Sequence, residues 1–268
     1  MKKDIQNPMD YESGTTSHYR DASYYDHTYA TRKADIRFYV EIAEELGGPI
    51  LELGVGTGRV AKAIVKKGVR VVGVDSIPEM LERAQEERAK LSQDNQERLT
   101  FEQGDVKTIR LGRQFPLIIS PFNVWMHLYQ RADIEAAFAT VLAHLAPGGT
   151  FVFDVLNPWV PDLARNPEKV YGGAKFKHPD TGIPHSYAEA FDYDLKTQVQ
   201  RIFMFAQPDG APEDAWQMEV AHRQFFPAEL EALLHYNGFE MVERFGDFKR
   251  QPFTKKSDSQ VIIAKARS

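Results

Sequence analysis

Gly54, Gly56 and Gly58 stand at alternate positions directly after Ile50-Leu51-Glu52-Leu53, and a helix-like run follows from Arg59 to Lys67. Glycines at the tip of a strand remove Cβ atoms, so the backbone can turn tightly and a ligand can lie against it. The spacing narrows the ligand. A dinucleotide fingerprint of the form G-x-G-x-x-G would place its third glycine at position 59, which is Arg59, and a phosphate-cradling loop would need Gly-Lys-Ser or Gly-Lys-Thr. A nucleotide-like ligand without a pyrophosphate fits better. Asp75-Ser76 follows 21 residues after Gly54, where a carboxylate can accept hydrogen bonds from both hydroxyls of a ribose. Gly104-Asp105-Val106 offers a second carboxylate, suited to an exocyclic amine, and Ser120-Pro121-Phe122-Asn123 leads into Val124-Trp125-Met126-His127. Singly, such residues are as well explained by a helix cap or a turn. Four of them in sequence, each after a strand-like run, are not.

The elements that must position these groups alternate in type. Apolar residues at helical spacing from Lys33 to Leu46 predict a helix that Gly47-Gly48 stops. Strand-like runs then follow at 50–53, at Val71-Val72-Gly73-Val74, at Leu99-Thr100-Phe101-Glu102, at 116–120 and at 150–155. Between them lie helical patterns, among them Ile77, Met80, Leu81 and Ala84, and Ile134, Ala137, Phe138, Val141, Leu142 and Leu145, the last closed by Pro147-Gly148-Gly149. Repeated strand–helix–strand units imply an α/β fold, a parallel sheet with helices on both faces. After Asn157 the pattern breaks. Residues 158 to 183 read as irregular, and three strand-like segments follow, His185 to Tyr193, Gln198 to Ala206 and Trp216 to Phe226, as an antiparallel meander. Helix and strand resume at 227–237, 239–244 and 260–264. The expected organisation is an N-terminal arm or lid over 1–32, a core over 33–157, a β insertion over 158–226 and the end of the core over 227–268.

Composition removes several classes of function. The chain has 268 residues, no cysteine and a formal net charge of -5. Thiolate metal sites, cysteine nucleophiles and disulfides are excluded, and no other metal cluster stands out. Nucleic acid as a partner is disfavoured by the missing basic footprint. No apolar run reaches the length of a membrane span, and the start has no signal-peptide core, so a cytoplasmic protein without a membrane partner is expected. The first 30 residues carry Tyr11, Tyr19, Tyr24, Tyr25 and Tyr29, more tyrosine than solvation needs.

Taken together, Glu52-Leu53-Gly54-Val55-Gly56-Thr57-Gly58, Val72-Gly73-Val74-Asp75, Gly104-Asp105-Val106 and Leu145-Ala146-Pro147-Gly148-Gly149 resemble the class I S-adenosylmethionine-dependent methyltransferases. The resemblance covers residues 50 to 157 closely. It implies a Rossmann-like, mostly parallel sheet of seven strands in the order 3-2-1-4-5-7-6, with strand seven antiparallel. It also implies that Gly54, Gly56 and Gly58 lie under the amino-acid part of the cofactor, with Glu52 helping to hold the loop. Asp75 would take the ribose hydroxyls, Asp105 the adenine amine and Val106 the adenine face. Ser76, Met80, Gly104, Pro121 and Phe122 would complete the cofactor's surroundings. Within the family the chain is similar to small-molecule N-methyltransferases acting on amino sugars and glycine-type amines, which share a tyrosine-bearing lid comparable to Tyr25, Tyr29 and Arg32 here.

A sulfonium methyl is already electrophilic, so such an enzyme mainly aligns a nucleophile and excludes water. An amine must arrive neutral, and His127, just beyond strand four, is the expected base or substrate anchor. Asn123, Trp125, Asn157 and Arg223 are the expected acceptor residues. The competing expectations are O-methylation of a small phenol or carboxylate, methylation of a nucleic acid, and a non-catalytic cofactor-binding protein. A homodimer through the insertion stays open.

Overall fold

The computed structural model describes residues 17–19, 21–178 and 181–267; Tyr11 and the rest of the first 16 residues lie outside them. A 3-10 turn, Ser17–Tyr19, leads into helix α1 (Ala22–Tyr29) and then α2 (Ala34–Leu46). The core alternates β1 (Ile50–Leu53), α3 (Arg59–Val65), β2 (Val71–Asp75), α4 (Pro78–Ala89), α5 (Gln93–Glu97), β3 (Leu99–Gln103), β4 (Phe115–Ser120), α6 (Arg131–His144) and β5 (Leu145–Leu156). After α7 (Val160–Leu163) come β6 (Tyr171–Lys177), β7 (Pro184–Asp194), β8 (Val199–Pro208) and β9 (Trp216–Arg223), and α8 (Pro227–Tyr236), β10 (Phe239–Phe245) and β11 (Ser259–Ala266) close the chain.

Seven strands form one sheet in the order β10-β11-β5-β4-β1-β2-β3, with β11 antiparallel to both its neighbours. This is the order expected from the family resemblance. Every residue of β1 and β2 is buried, as apolar runs covered by helices on both faces must be. One face packs Trp125, Phe138, Phe151, Phe153 and Phe239, and the other packs Phe38, Tyr39, Ile42, Val60 and Ile64. The chain leaves β1 toward β2 and β3 and returns on the other side of β1 as β4. The crevice at the carboxyl ends of β1 and β4 is therefore the topological switch point, where open α/β sheets bind ligands. Among the described residues no helix is long and apolar enough to cross a membrane.

The insertion is an antiparallel sheet of four strands, β6-β7-β8-β9, where the sequence suggests three. β6 was hidden because its Gly172-Gly173 interrupts any period-two pattern; the strand bulges there, between Gly172 and Ala174, and most of its residues are exposed at the sheet edge. The arm also holds more structure than its polarity suggests, since α1 buries Tyr24 and Tyr25. One boundary moves as well: α6 stops at His144, and Pro147-Gly148-Gly149 belongs to the start of β5.

Candidate active site

Two adjoining cavities lie at the switch point. The first, of ≈ 170 Å³, is lined by Gly54, Gly56, Asp75, Ser76, Met80, Asp105, Val106, Pro121 and Phe122, and also by Tyr25 from α1 and His127. Gly54 has φ +74, and a Cβ there would lie 2.3 Å from a methyl of Val124. Gly56 has φ +54 with open space where a Cβ would point. Both positions therefore need glycine, one for close approach and one for conformation. Asp75 ends β2 with each carboxylate oxygen holding one backbone N–H, Gly56 at 2.8 Å and Ile77 at 3.0 Å. Burial raises its pKa, and the backbone donors oppose that rise. Each oxygen keeps a lone pair for a hydroxyl donor. Asp105 is more open; it accepts from the Lys107 amide at 2.8 Å, with the Lys107 ammonium 3.4 Å away.

Beyond β4 the chain makes two consecutive left-handed residues, Phe122 (φ 67) and Asn123 (φ 63). Neither is glycine, so the turn is strained and must be held. Asp154, in β5, holds it: its Oδ1 accepts the Phe122 amide at 2.9 Å and its Oδ2 the Asn123 amide at 3.2 Å, while the Tyr39 hydroxyl donates to Oδ1 at 2.6 Å. Burial pushes the Asp154 carboxyl up to about 6 against those three donors. Sequence reasoning missed Asp154 because it looks like one more strand residue. The turn fixes the Phe122 ring, which sits 4.9 Å from the Tyr29 ring and under the Arg59 guanidinium at 4.8 Å. Arg59, at the third position of the would-be dinucleotide motif, is thereby committed to Phe122 and to its ion pair with Asp35.

His127 ends the 3-10 turn Val124–His127 and is enclosed by the arm and the insertion. Its Nε2 lies 2.7 Å from the Tyr19 hydroxyl, and its Nδ1 lies 3.3 Å from the Tyr129 hydroxyl, which donates to the Ala221 carbonyl at 3.1 Å. Because the single Tyr129 proton goes to that carbonyl, Nδ1–H donates to Tyr129, and Nε2 carries the lone pair that accepts from Tyr19. Burial, and then the nearby His222 and His18, holds His127 well below the ordinary histidine value, so it is neutral. Tyr19 was one of five tyrosines in the arm, an excess that was the available signal for it.

The second cavity, of ≈ 560 Å³, lies between α1, the Phe122 turn and the insertion sheet. Tyr19 and Phe122 line both cavities. Strand alternation decides which insertion residues face inward: Tyr187 and Glu189 of β7, Ile202 and Met204 of β8, and Val220 and His222 of β9. His222, pushed down to about 4 by burial, has its ring centroid 5.2 Å from that of His127. Period-two patterning cannot say which face is covered before the covering element is known, so Tyr187, Glu189, Ile202, Met204 and Val220 read in sequence only as parts of a meander.

The structure does not gather all the expected residues. Asn123, Tyr29 and Arg32 line the second cavity. Tyr29 and Arg32 were expected around the cofactor, but α1 ends beyond the first cavity and carries them past it. Gly58 caps α3, and Glu52 is buried in β1 with its Oε2 lacking a hydrogen-bond partner among the described residues and its carboxyl pushed up to about 8 by burial. Gly104 admits the Ile109 side chain, which a Cβ would meet at 2.4 Å. Trp125 is a core residue, 4.4 Å from Phe138 and 5.2 Å from Phe153. Asn157 is spent on the Ser257 carbonyl at 2.9 Å. Arg223 alternates with His222 to the other face and pairs with Glu229 at 2.6 Å. These three line neither cavity, because the aromatic core, the β11 loop and a salt bridge claim them.

A glycine cradle, two carboxylates at successive strand ends and an apolar residue after the second define a nucleoside-binding α/β protein. An ordinary nucleotide would need phosphate donors that the loop lacks; a nucleoside carrying an amino acid matches the open space at Gly56 and the spare lone pairs of Asp75. A family model described as a methyltransferase domain matches residues 50–149. The CcbJ methyltransferase from Streptomyces caelestis is 28% identical, with 88% of this chain and 90% of that chain covered and a TM-score of 0.74. A dTDP-3-amino-3,4,6-trideoxy-alpha-D-glucopyranose N,N-dimethyltransferase of Streptomyces venezuelae is 30% identical over 131 residues, 49% of this chain and 51% of its own. A glycine/sarcosine N-methyltransferase of Parasynechococcus marenigrum (strain WH8102) is 24% identical over 82% of this chain and 73% of its own length. The chain is a class I S-adenosylmethionine-dependent methyltransferase. Its cofactor is S-adenosylmethionine, and its reaction is methyl transfer from it.

Proposed function

We propose that the methyl acceptor is a small molecule held in the second cavity and that its nucleophile is an amine nitrogen. One observation carries this reading: Tyr19 and Phe122 form the shared wall of the two cavities, so only there can a donor in the first meet an acceptor in the second. The relatives named for amino-sugar and glycine methylation support nitrogen as the nucleophile. In the first cavity Gly54, Gly56, Asp75, Asp105 and Val106 would hold the cofactor, with Tyr25 closing over it. When bound, the cofactor supplies an electrophilic methyl group for in-line displacement by the acceptor. Everything else falls to the chain. The lid (residues 1–32) and the insertion (158–226) exclude water and orient the nitrogen. The proton released from the nitrogen passes to the Tyr19 oxygen as Tyr19 gives its own to His127 Nε2, and the resulting imidazolium is steadied through Nδ1–H by Tyr129. A neutral, depressed histidine is suited to receive a proton only while the product forms.

The test is incubation with methyl-labelled cofactor and a panel of amines, phenols and short RNA. Label in amines supports the reading. Label confined to phenols selects O-methylation, label in RNA alone overturns a small acceptor, and cofactor binding without any transfer leaves a non-catalytic binder.

A further inference from the structure

The second cavity is lined mostly by aromatic and apolar side chains, and it holds one carboxylate and one guanidinium that do not meet. Glu189, half-buried on β7, accepts from the Tyr187 hydroxyl at 2.7 Å and has no ion pair among the described residues. Arg32, just past α1, lies over the Tyr29 and Phe122 rings at 5.4 and 5.6 Å and likewise has no carboxylate partner among them. Tyr29 lines the same cavity, its phenol acted on by both charges in opposite senses. Three histidines line this cavity, His18, His27 and His222, of which His18 and His222 are each pushed down to about 4 by burial and supply no charge near neutrality. Arg32 is exposed and lies only against the rings, whereas the half-buried Glu189 carboxylate is costly without a cationic partner beside aromatic walls; a ligand can supply a partner to each.

We propose, building on the small-acceptor reading, that the acceptor is a dipolar molecule whose anionic group is held by Arg32 and whose separate cationic or hydrogen-bond-donating group is held by Glu189. Neither group lines the first cavity. The nitrogen that is methylated sits at the shared wall and can arrive neutral, while Glu189 fixes a group that stays charged throughout. Arg32 and Glu189 then act as specificity residues, setting the acceptor's polarity from two points of one cavity.

The test reads binding apart from turnover. Protein saturated with S-adenosylhomocysteine is screened by ligand-observed nuclear magnetic resonance against equal sets of anionic, cationic, dipolar and neutral fragments. Dipolar fragments are expected to bind about ten-fold more tightly than singly charged analogues, the size of one charge-assisted contact. Glu189→Gln, which keeps the Tyr187 hydrogen bond, removes that advantage over anions, and Arg32→Gln removes it over cations. Equal binding of all classes, no binding of any, or an Arg32→Gln variant that loses cofactor affinity with fragment preference unchanged overturns the proposal. The labelled-transfer panel decides the amine reading separately: methylated amines with no charge preference would sink the dipolar acceptor alone.

Discussion

The two cavities are built by different means. The first is made by backbone and by single residues at strand ends: two glycines whose missing Cβ atoms form the cradle, and Asp75 locked by two amides. The second is made by side chains from α1, one strained turn and alternate positions of β7, β8 and β9. A sheet fixes its strand ends as soon as it folds, so the first cavity tolerates almost no variation. The second depends on which face of the insertion the arm covers, so its residues can change while the architecture stays. This division explains how one fold can keep one donor and serve many acceptors.

Breaking the first cavity should have the largest effect. Gly54→Val combines a left-handed backbone with a Cβ that would sit 2.3 Å from Val124. Left-handed strain and overpacking together cost about 2–5 kcal/mol, up to about 4 × 10³ in cofactor affinity if all of it falls on the loop. Calorimetric titration with S-adenosylhomocysteine checks this. Wild-type affinity would mean that the loop is not a rigid cradle and that the contrast between the cavities is false.

The same contrast describes what the sequence could reveal. Glycine spacing, the aspartate after β2 and apolar runs are local signals with direct backbone causes, so the sheet, its insertion point and the donor side were legible. Trp125 and Asn157 misled because their neighbours in sequence face the site while they themselves face Phe138 and the β11 loop. His222 and Arg223 show the limit more sharply: adjacent residues on a strand point to opposite faces, and only the packed arm decides which is inside. Glu189 and Asp154 gave no local signal, since a carboxylate within a strand gains meaning only from what tertiary packing brings against it.

The chemistry at the shared wall comes next. His127→Ala should lower kcat by about 10², the lower range for a general base, with cofactor affinity within about three-fold of wild type. Tyr19→Phe should fall between the two. Because burial depresses His127, protonation begins only below the ordinary histidine value, and activity is lost as pH falls through that lower value. The kcat–pH profile should therefore show no acid limb near 6.5. A limb at 6.5 or above that vanishes in His127→Ala would show an exposed, ordinary histidine.

Glu52 sharpens the donor side without touching a ligand. Its pKa is raised from 4.5 to about 8 by burial, so the folded chain keeps a proton that the unfolded chain loses. Between those values the native state binds more protons, and stability falls as pH rises through the window. Glu52→Gln removes the titration. In urea unfolding of cofactor-free protein, the variant should gain about 2 kcal/mol on wild type between pH 5 and 8, part of the 1.36 kcal/mol per unit that a full shift allows. Parallel profiles would show that the carboxyl is already compensated and is no part of a preorganised loop.

The smallest effect is expected where the two regions join. Asp26 of α1 accepts from the Thr57 hydroxyl at 2.6 Å and from Arg83 Nε at 3.0 Å, tying the arm at once to the glycine loop and to α4. Thr57 is buried, whereas the carboxylate and the guanidinium are partly exposed, so the hydroxyl contact should outweigh the ion pair. If the arm is a lid over the first cavity, Asp26→Ala should raise the cofactor's dissociation rate by about five- to ten-fold, the worth of one such hydrogen bond, and speed proteolysis of the arm. Thr57→Val should reproduce most of this, and Arg83→Gln little. Stopped-flow release of S-adenosylhomocysteine measures it. An unchanged release rate with a raised acceptor KM would assign the arm wholly to the second cavity, leaving the donor site to the core alone.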